Sequence, residues 1–141
     1  MSQGTNKYLI FQLAGKRFAF DLTQVAEVSE LPETWPIPMA PRCYRGAMNF
    51  HGTIVAVMDL TMFLGLDITH PPEKTIVLDP RIAALAFQVD HVIRIETVAP
   101  SGLRTASGEP FALGNLTLSD GNALLLDAAA IAARAGETIN A

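Results

Sequence analysis

Residues 46–66, GAMNFHGTIVAVMDLTMFLGL, leave few folds open to the chain that carries them. Residues 47–50 and 53–58 are apolar segments of strand length separated only by His51-Gly52, a spacing that predicts a tight hairpin. The second segment is apolar on both faces, which predicts a strand with no solvent side. Asp59 then stands where a carboxylate accepts a backbone N–H and opens a helix. Leu60, Phe63 and Leu64 share one helical face, and Gly65 ends the helix after two turns at most. No side chain in the block is placed for a reaction, so it reads as part of a scaffold rather than an enzyme.

The same plan runs through the rest of the chain. Residues 8–14 and 17–20 form a hairpin about Gly15-Lys16, and Val25 and Val28 continue a strand-like run after a bend near Asp21. Pro32, Pro36, Pro38 and Pro41 then forbid regular structure, because each removes a ladder donor and restricts its predecessor. After a polar stretch at 67–74, residues 75–78 and 82–88 flank Asp79-Pro80-Arg81, and 115–119 and 122–126 flank the hairpin signal Asp120-Gly121. Asp127 caps a helix over 128–135, with Gly136 placed to end it.

Displacing the chain by 67 positions lays residues 18–28 over 85–95 without a gap, matching Ala19 with Ala86, Phe20 with Phe87 and Val25 with Val92. One further residue brings Asp59 over Asp127. Any two hairpins share part of this pattern, but the recurrence of strand order, turns and capped helix predicts a duplication. The single domain, 1–141, then divides into subdomains at about 8–66 and 75–135. Halves this small, with about five short strands each, gain most by curling into barrels, which removes exposed edges.

Charge and composition remove several function classes. The net charge is −4, and the ten Lys and Arg form no basic run, so nucleic acid is not an expected partner. No apolar run approaches the roughly 18 residues of a membrane helix, and the first residues, MSQGTNKY, lack the regions of a signal peptide. A cytoplasmic protein without membrane insertion is expected. Cys43 is the single cysteine, so no intrachain disulfide forms, and it lacks the context of a reactive thiol. His51, His70 and His91 are not spaced as a metal pair, and Asp90 and His91, adjacent in a strand, point to opposite faces. No catalytic residue, metal or cofactor is expected, and Asp59 and Asp127 are helix caps. Trp35, Ile37 and Met39, alternating with prolines, serve either as partner anchors or as a cover for the chain's own core.

Residues 8–20, the Val25-Ala-Glu27-Val28 stretch and residues 46–66 together resemble the CheW-like coupling domains of bacterial chemosensory systems. The likeness extends more thinly through Val89-Asp90-His91-Val92 and from Asp120-Gly121 to Asp127. It implies an all-β fold of two intertwined five-stranded SH3-like small barrels with short helices. It further implies a non-enzymatic adaptor that bridges chemoreceptor tips to the regulatory domain of a CheA-type histidine kinase. By position, the protein-binding residues it implies are Val25, Glu27, Gly46, Asn49, His51 and Gly52. The chain departs from the family pattern where an arginine gives way to His51 and another to Thr61, so a fork-shaped, charge-assisted contact is lost twice. An adaptor of a pilus-motility or other two-component system, or a small-ligand sensor with its pocket between the halves, are the alternative readings.

Overall fold

The computed structural model describes residues 5–105 and 108–139. Eleven strands and two helices succeed one another among them: β1 Asn6–Leu13, β2 Lys16–Asp21, β3 Val25–Ser29, β4 Tyr44–Phe50, β5 Thr53–Asp59, α1 Leu60–Phe63, β6 Lys74–Leu78, β7 Leu85–Val89, β8 His91–Val98, β9 Leu103–Arg104, β10 Ala112–Leu118, β11 Gly121–Leu126 and α2 Ala128–Ile139. They form two sheets, one ordered β3-β6-β7-β5-β4 and the other β8-β1-β2-β11-β10-β9. Each is one SH3-like barrel.

The strands are exchanged between the halves of the sequence. The first hairpin, β1-β2, lies in the sheet of the second half, with β1 against β8 and β2 parallel to β11. Reciprocally, the hairpin β6-β7 lies in the sheet of the first half, with β6 against β3 and β7 parallel to β5. The segments 8–66 and 75–135 therefore mark the repeat in the sequence, while each barrel draws strands from both. The sixth strand of the larger sheet, β9, spans two residues beside β10. Its counterpart in the other barrel is a single bridge from Trp35 to Ala47.

The duplication extends to the packed side chains. One small core holds Met48, Val55, Val57, Val77 and Ala86, with Phe50 against it. The other includes Leu116, Ala123, Leu125, Ile10 and Ala19, with Leu118, which are the counterparts of those six residues at displacements of 67 or 68. Between the barrels lies a larger core to which both contribute, including Leu9, Phe11 and Phe20 from one sheet and Ile76, Leu85 and Phe87 from the other. Phe11, Phe20 and Phe87 are fully buried and stack in sequence, with centroids 5.0 and 5.5 Å apart.

Local rules account for most element ends. Ala14 and Gly15 both have positive φ, so the first turn lies one residue before Gly15-Lys16, in the twist that two-residue hairpins favour. His51 and Gly52 form the equivalent turn before β5. Asp59 Oδ1 accepts the N–H of Met62 at 3.1 Å and Asp127 Oδ1 that of Ala130 at 3.0 Å, so both caps form as expected. α1 closes in a Schellman motif, Leu66 N–H to Thr61 and Gly65 N–H to Met62.

Three expectations need correction. α2 runs through Gly136 to Ile139, because a glycine ends a helix only where the chain turns left-handed, and this one does not. β7 begins at Leu85, since Asp79 grips the N–H and guanidinium of Arg81 and holds that segment as a turn. Finally, β5 lacks a solvent side only in its second half: Thr53 and Ile54 are exposed, and burial begins at Val55.

Gly46 and Gly114 mark where an extra strand segment crosses each barrel. A Cβ at Gly46 would collide with the carbonyl oxygen of Trp35, and one at Gly114 with that of Arg104. Gly46→Ala and Gly114→Ala are each expected to cost about 2 kcal/mol in urea unfolding, as overpacking against a fixed backbone does. Gly136→Ala, with open space at its Cβ, should instead add about 0.5–1 kcal/mol. Wild-type stability in both clashing variants would refute the close crossings.

Candidate functional site

One corner of the first barrel collects most of the residues singled out in the sequence. β3 is the outer strand of its sheet, and a register shift between Val25 and Glu27 re-aims the following side chain. At the far end of the same sheet the β4-β5 turn carries His51 in a left-handed conformation. Asn49 stabilises that turn, its Oδ1 accepting the N–H of Gly52 at 2.8 Å. The His51 ring meets the ring of Phe50 edge-on, with centroids 4.4 Å apart, and Phe50 in turn rests on the small core below.

From this base His51 Nε2 reaches Glu27 Oε1 at 3.3 Å, which brings together side chains 24 positions apart and closes the barrel across its two outer strands. His51 is 74% and Glu27 42% exposed. An exposed pair of this kind adds little to stability, so the fold does not depend on it and its atoms face solvent. Glu27, Asn49, His51 and Gly52 thus share one corner. Val25 and Gly46 lie elsewhere: Val25 packs against the central core opposite Leu78, and Gly46 is buried beneath Trp35.

Two further residues belong to this surface. Ile54, opposite Asn49 in the register, is 66% exposed; reading 53–58 as wholly buried hid it, although its place beside a turn was a signal. Phe50 supports His51 and was read only as a strand residue. Of the three apolar residues that alternate with prolines in the crossing, Trp35 and Met39 are exposed and Ile37 is half-buried.

The equivalent corner of the second barrel is closed on itself. Arg94, the counterpart of Glu27, binds Glu96 at 2.7 Å and Asp120 at 2.6 Å, while Arg17 also binds Asp120 at 2.7 Å. Ser119, the counterpart of His51, donates its N–H to Glu96. Hydrogen bonds from Arg17 and then Arg94 hold the Asp120 carboxyl far below the usual carboxylate range. Those from Arg94 and the Ser119 N–H lower Glu96. A depressed carboxylate contributes above its unfolded pKa and loses that contribution as pH falls, so this network is intact at neutral pH. The His51 corner has a single exposed side-chain pair, His51 with Glu27, where its twin has a satisfied network.

The other chemistry-bearing side chains form no reactive constellation. Burial pushes the Cys43 thiol up, which keeps it protonated at neutral pH. The rings of His70 and His91 meet at a tilt of 37° with centroids 5.2 Å apart, a pairing across the fold that their spacing does not reveal. Asp90 is buried and accepts the N–H of Ala14 at 2.9 Å, pinning the first turn, while His91 on the other face reaches Glu73 at 3.2 Å. Among the described residues no three His, Cys, Asp or Glu are arranged to hold a metal ion, and no helix is long and apolar enough to cross a membrane.

Known proteins share this fold. Residues 7–136 match the family model described as CheW-like domain. The chain is 25% identical over 96 residues to the chemotaxis protein CheW of Thermotoga maritima, covering 67% of this chain and 64% of that one. It is 27% identical over 107 residues to the chemotaxis protein CheW of Bacillus subtilis, covering 71% and 65%. The matched stretch therefore spans just under two thirds of these relatives. Among solved structures, the scaffolding protein TtCheW from Thermoanaerobacter tengcongensis superposes with a TM-score of 0.80 at 20% identity, over 87% of this chain and 89% of the other. That likeness is one of fold.

Proposed function

The chain belongs to the CheW-like domain family, and from that premise we propose that it is a non-enzymatic adaptor coupling chemoreceptor tips to the regulatory domain of a CheA-type histidine kinase, working in the cytoplasm. The observation that carries this reading is the Glu27, Asn49, His51 and Gly52 corner, solvent-facing on a rigid base and flanked by the exposed Ile54. An apolar side chain beside oriented polar groups is the makeup of a protein contact. Val25 and Gly46 lie away from this surface and serve the fold, by fixing β3 and the Trp35 crossing. Contacts of about 800 Å² or less per partner suffice for such an adaptor, because tethering many copies in an array multiplies weak affinities.

His51 is the position to test, since here the chain departs from the arginine of the family pattern. His51→Asp sets a second carboxylate beside Glu27 and is expected to weaken binding to a cognate kinase regulatory domain about tenfold, or about 1.4 kcal/mol. His51→Arg should bind at least as tightly as the wild type. Both variants should melt with the wild type, because the side chain is exposed. Isothermal titration with the purified regulatory domain checks the pair. Equal affinities for wild type and His51→Asp would remove His51 from the contact, and failure of the wild type to bind both that domain and receptor tips would reject the adaptor reading.

A further inference from the structure

Two arginines stand where the duplication supplies apolar residues. Arg42 closes the proline-rich crossing and Arg134 lies on α2, and their counterparts at a displacement of 68 are Pro110 and Leu66. The repeated fold therefore does not require a charge at either place. Both arginines line one open cavity of about 370 Å³, together with Cys43, Met62, Phe63 and Phe111. No acidic residue lines it, although the chain as a whole carries a net charge of −4. Neither cation is committed elsewhere: Arg42 is exposed and in no ion pair among the described residues. Arg134 is 61% exposed, and its Nη1 meets Glu137 Oε2 at 3.3 Å along the same helix, an exposed pair that holds it only weakly.

The floor beneath them is apolar and fixed. The rings of Phe63 and Phe111 meet at a tilt of 48° with centroids 5.3 Å apart. Phe111 holds a left-handed φ of 63°, which a bulky side chain rarely adopts. Its carbonyl accepts the N–H of Asp127 at 2.7 Å, and the carbonyl of Glu109 accepts that of Ala112 at 3.3 Å, so the backbone on both sides holds it there. Backbone strain maintained in this way gathers at ligand-binding positions. An apolar floor with a few convergent polar groups is the makeup of a small-molecule site, and the volume falls at the lower end of the usual range of about 300–1,000 Å³. A guanidinium grips a carboxylate through parallel hydrogen bonds and stacks on aromatic faces.

We propose that this cavity binds a small aromatic carboxylate, its rings on Phe63 and Phe111 and its anionic group between Arg42 and Arg134. The bound molecule ties the proline-rich crossing to α2. The site shares no residue with the His51 corner, so it is a ligand site separate from the protein contact.

Cys43, the single cysteine of the chain and half-buried in the cavity wall, reports occupancy. Its reaction with the uncharged reagent N-ethylmaleimide is followed by mass spectrometry in the full chain, at mildly alkaline pH because burial pushes the thiol up. The probe is 2-naphthoate, and 2-naphthamide, with the same rings and no charge, is its control. Half-protection is expected at about 0.1–1 mM of the acid, the range for a ligand of this size. At about ten times that concentration labelling should slow about tenfold, against less than about twofold with the amide. Arg42→Gln and Arg134→Gln, both at exposed positions, should each raise the half-protecting concentration about tenfold, by removing a charge-assisted hydrogen bond. Both variants should keep the wild-type melting temperature and the labelling rate seen without probe. Labelling that ignores 2-naphthoate would overturn the proposal. Equal protection by the amide, or protection that survives the two substitutions together, would overturn it as well, by reducing the cavity to an apolar patch.

Discussion

Phe20→Ala is expected to destabilise the protein by about 3–5 kcal/mol, the range for removing a fully buried ring, and to melt both barrels in one transition. Phe20 lies on β2 in the six-stranded sheet and Phe87 on β7 in the five-stranded one. Their rings stack 5.5 Å apart, with Phe11 on the far side of Phe20. The lost ring thus opens a cavity in the core that both barrels share, not inside either one. Aromatic stacking adds about 0.5–1.5 kcal/mol beyond buried area, and two contacts of that kind disappear together. Amide exchange at Ile10 and Val77, one in each small core, reports the two barrels separately. Equal losses of protection at both sites are expected, whereas loss at one alone would show that the barrels are independent units.

The coupling has a covalent basis in the strand exchange. Unfolding the first barrel removes β6 and β7 from their sheet, and β8 follows β7 after one residue. β8 is the neighbour of β1 in the other sheet. Neither barrel can open without pulling a strand from its twin. For an adaptor this matters, because two partners held on different barrels keep a fixed relation only if the barrels do not move against each other.

How much of this was legible in the chain depends on distance along it. The His51-Gly52 turn, both aspartate caps and the proline-rich crossing follow from interactions within a few residues, and they were readable, whereas the last hairpin turns at Ser119-Asp120, one residue before the expected Asp120-Gly121. The exchange itself followed from no residue pattern; only the family resemblance implied intertwined barrels. In a duplicated sequence Phe20 and Phe87 are equivalent, so pairing β2 with β5 or with β11 would bury the same kinds of side chain, and hydrophobic pattern cannot choose between them. The parallel pairs β5-β7 and β11-β2 are joined by no short turn whose chemistry could have settled it. At the site, the residue types on β3 and in the turn were visible, yet the 3.3 Å approach of Glu27 to His51 exists only because the barrel closes. Ile54 was misjudged for a related reason: an apolar residue beside a turn looks the same whether its face is covered or left to a partner.

The two capping aspartates, alike in sequence, should respond unequally to removal. Asp127→Ala is expected to cost about 1 kcal/mol, the usual value of an N-cap, since its half-buried side chain accepts the N–H of Ala130. Asp59→Ala should cost about 3 kcal/mol, because Asp59 is buried and also accepts from Arg45 Nη2 at 2.7 Å, and a hydrogen bond between charged groups adds about 1.5–3 kcal/mol to the cap. Arg45 adjoins Gly46 at the register shift of β4, so the ion pair ties the start of that strand to the end of β5. Arg45→Ala alone should also destabilise, because it leaves the buried Asp59 carboxylate without its counter-ion. The double variant Arg45→Ala with Asp59→Ala is therefore expected to be less destabilised than the sum of the two single changes. Urea unfolding of the four variants measures the coupling. Equal costs for Asp59→Ala and Asp127→Ala, or strict additivity with Arg45→Ala, would show that the first cap is no more than a cap, and that the β4-β5 hairpin bearing Asn49, His51 and Gly52 is held by its ladder alone.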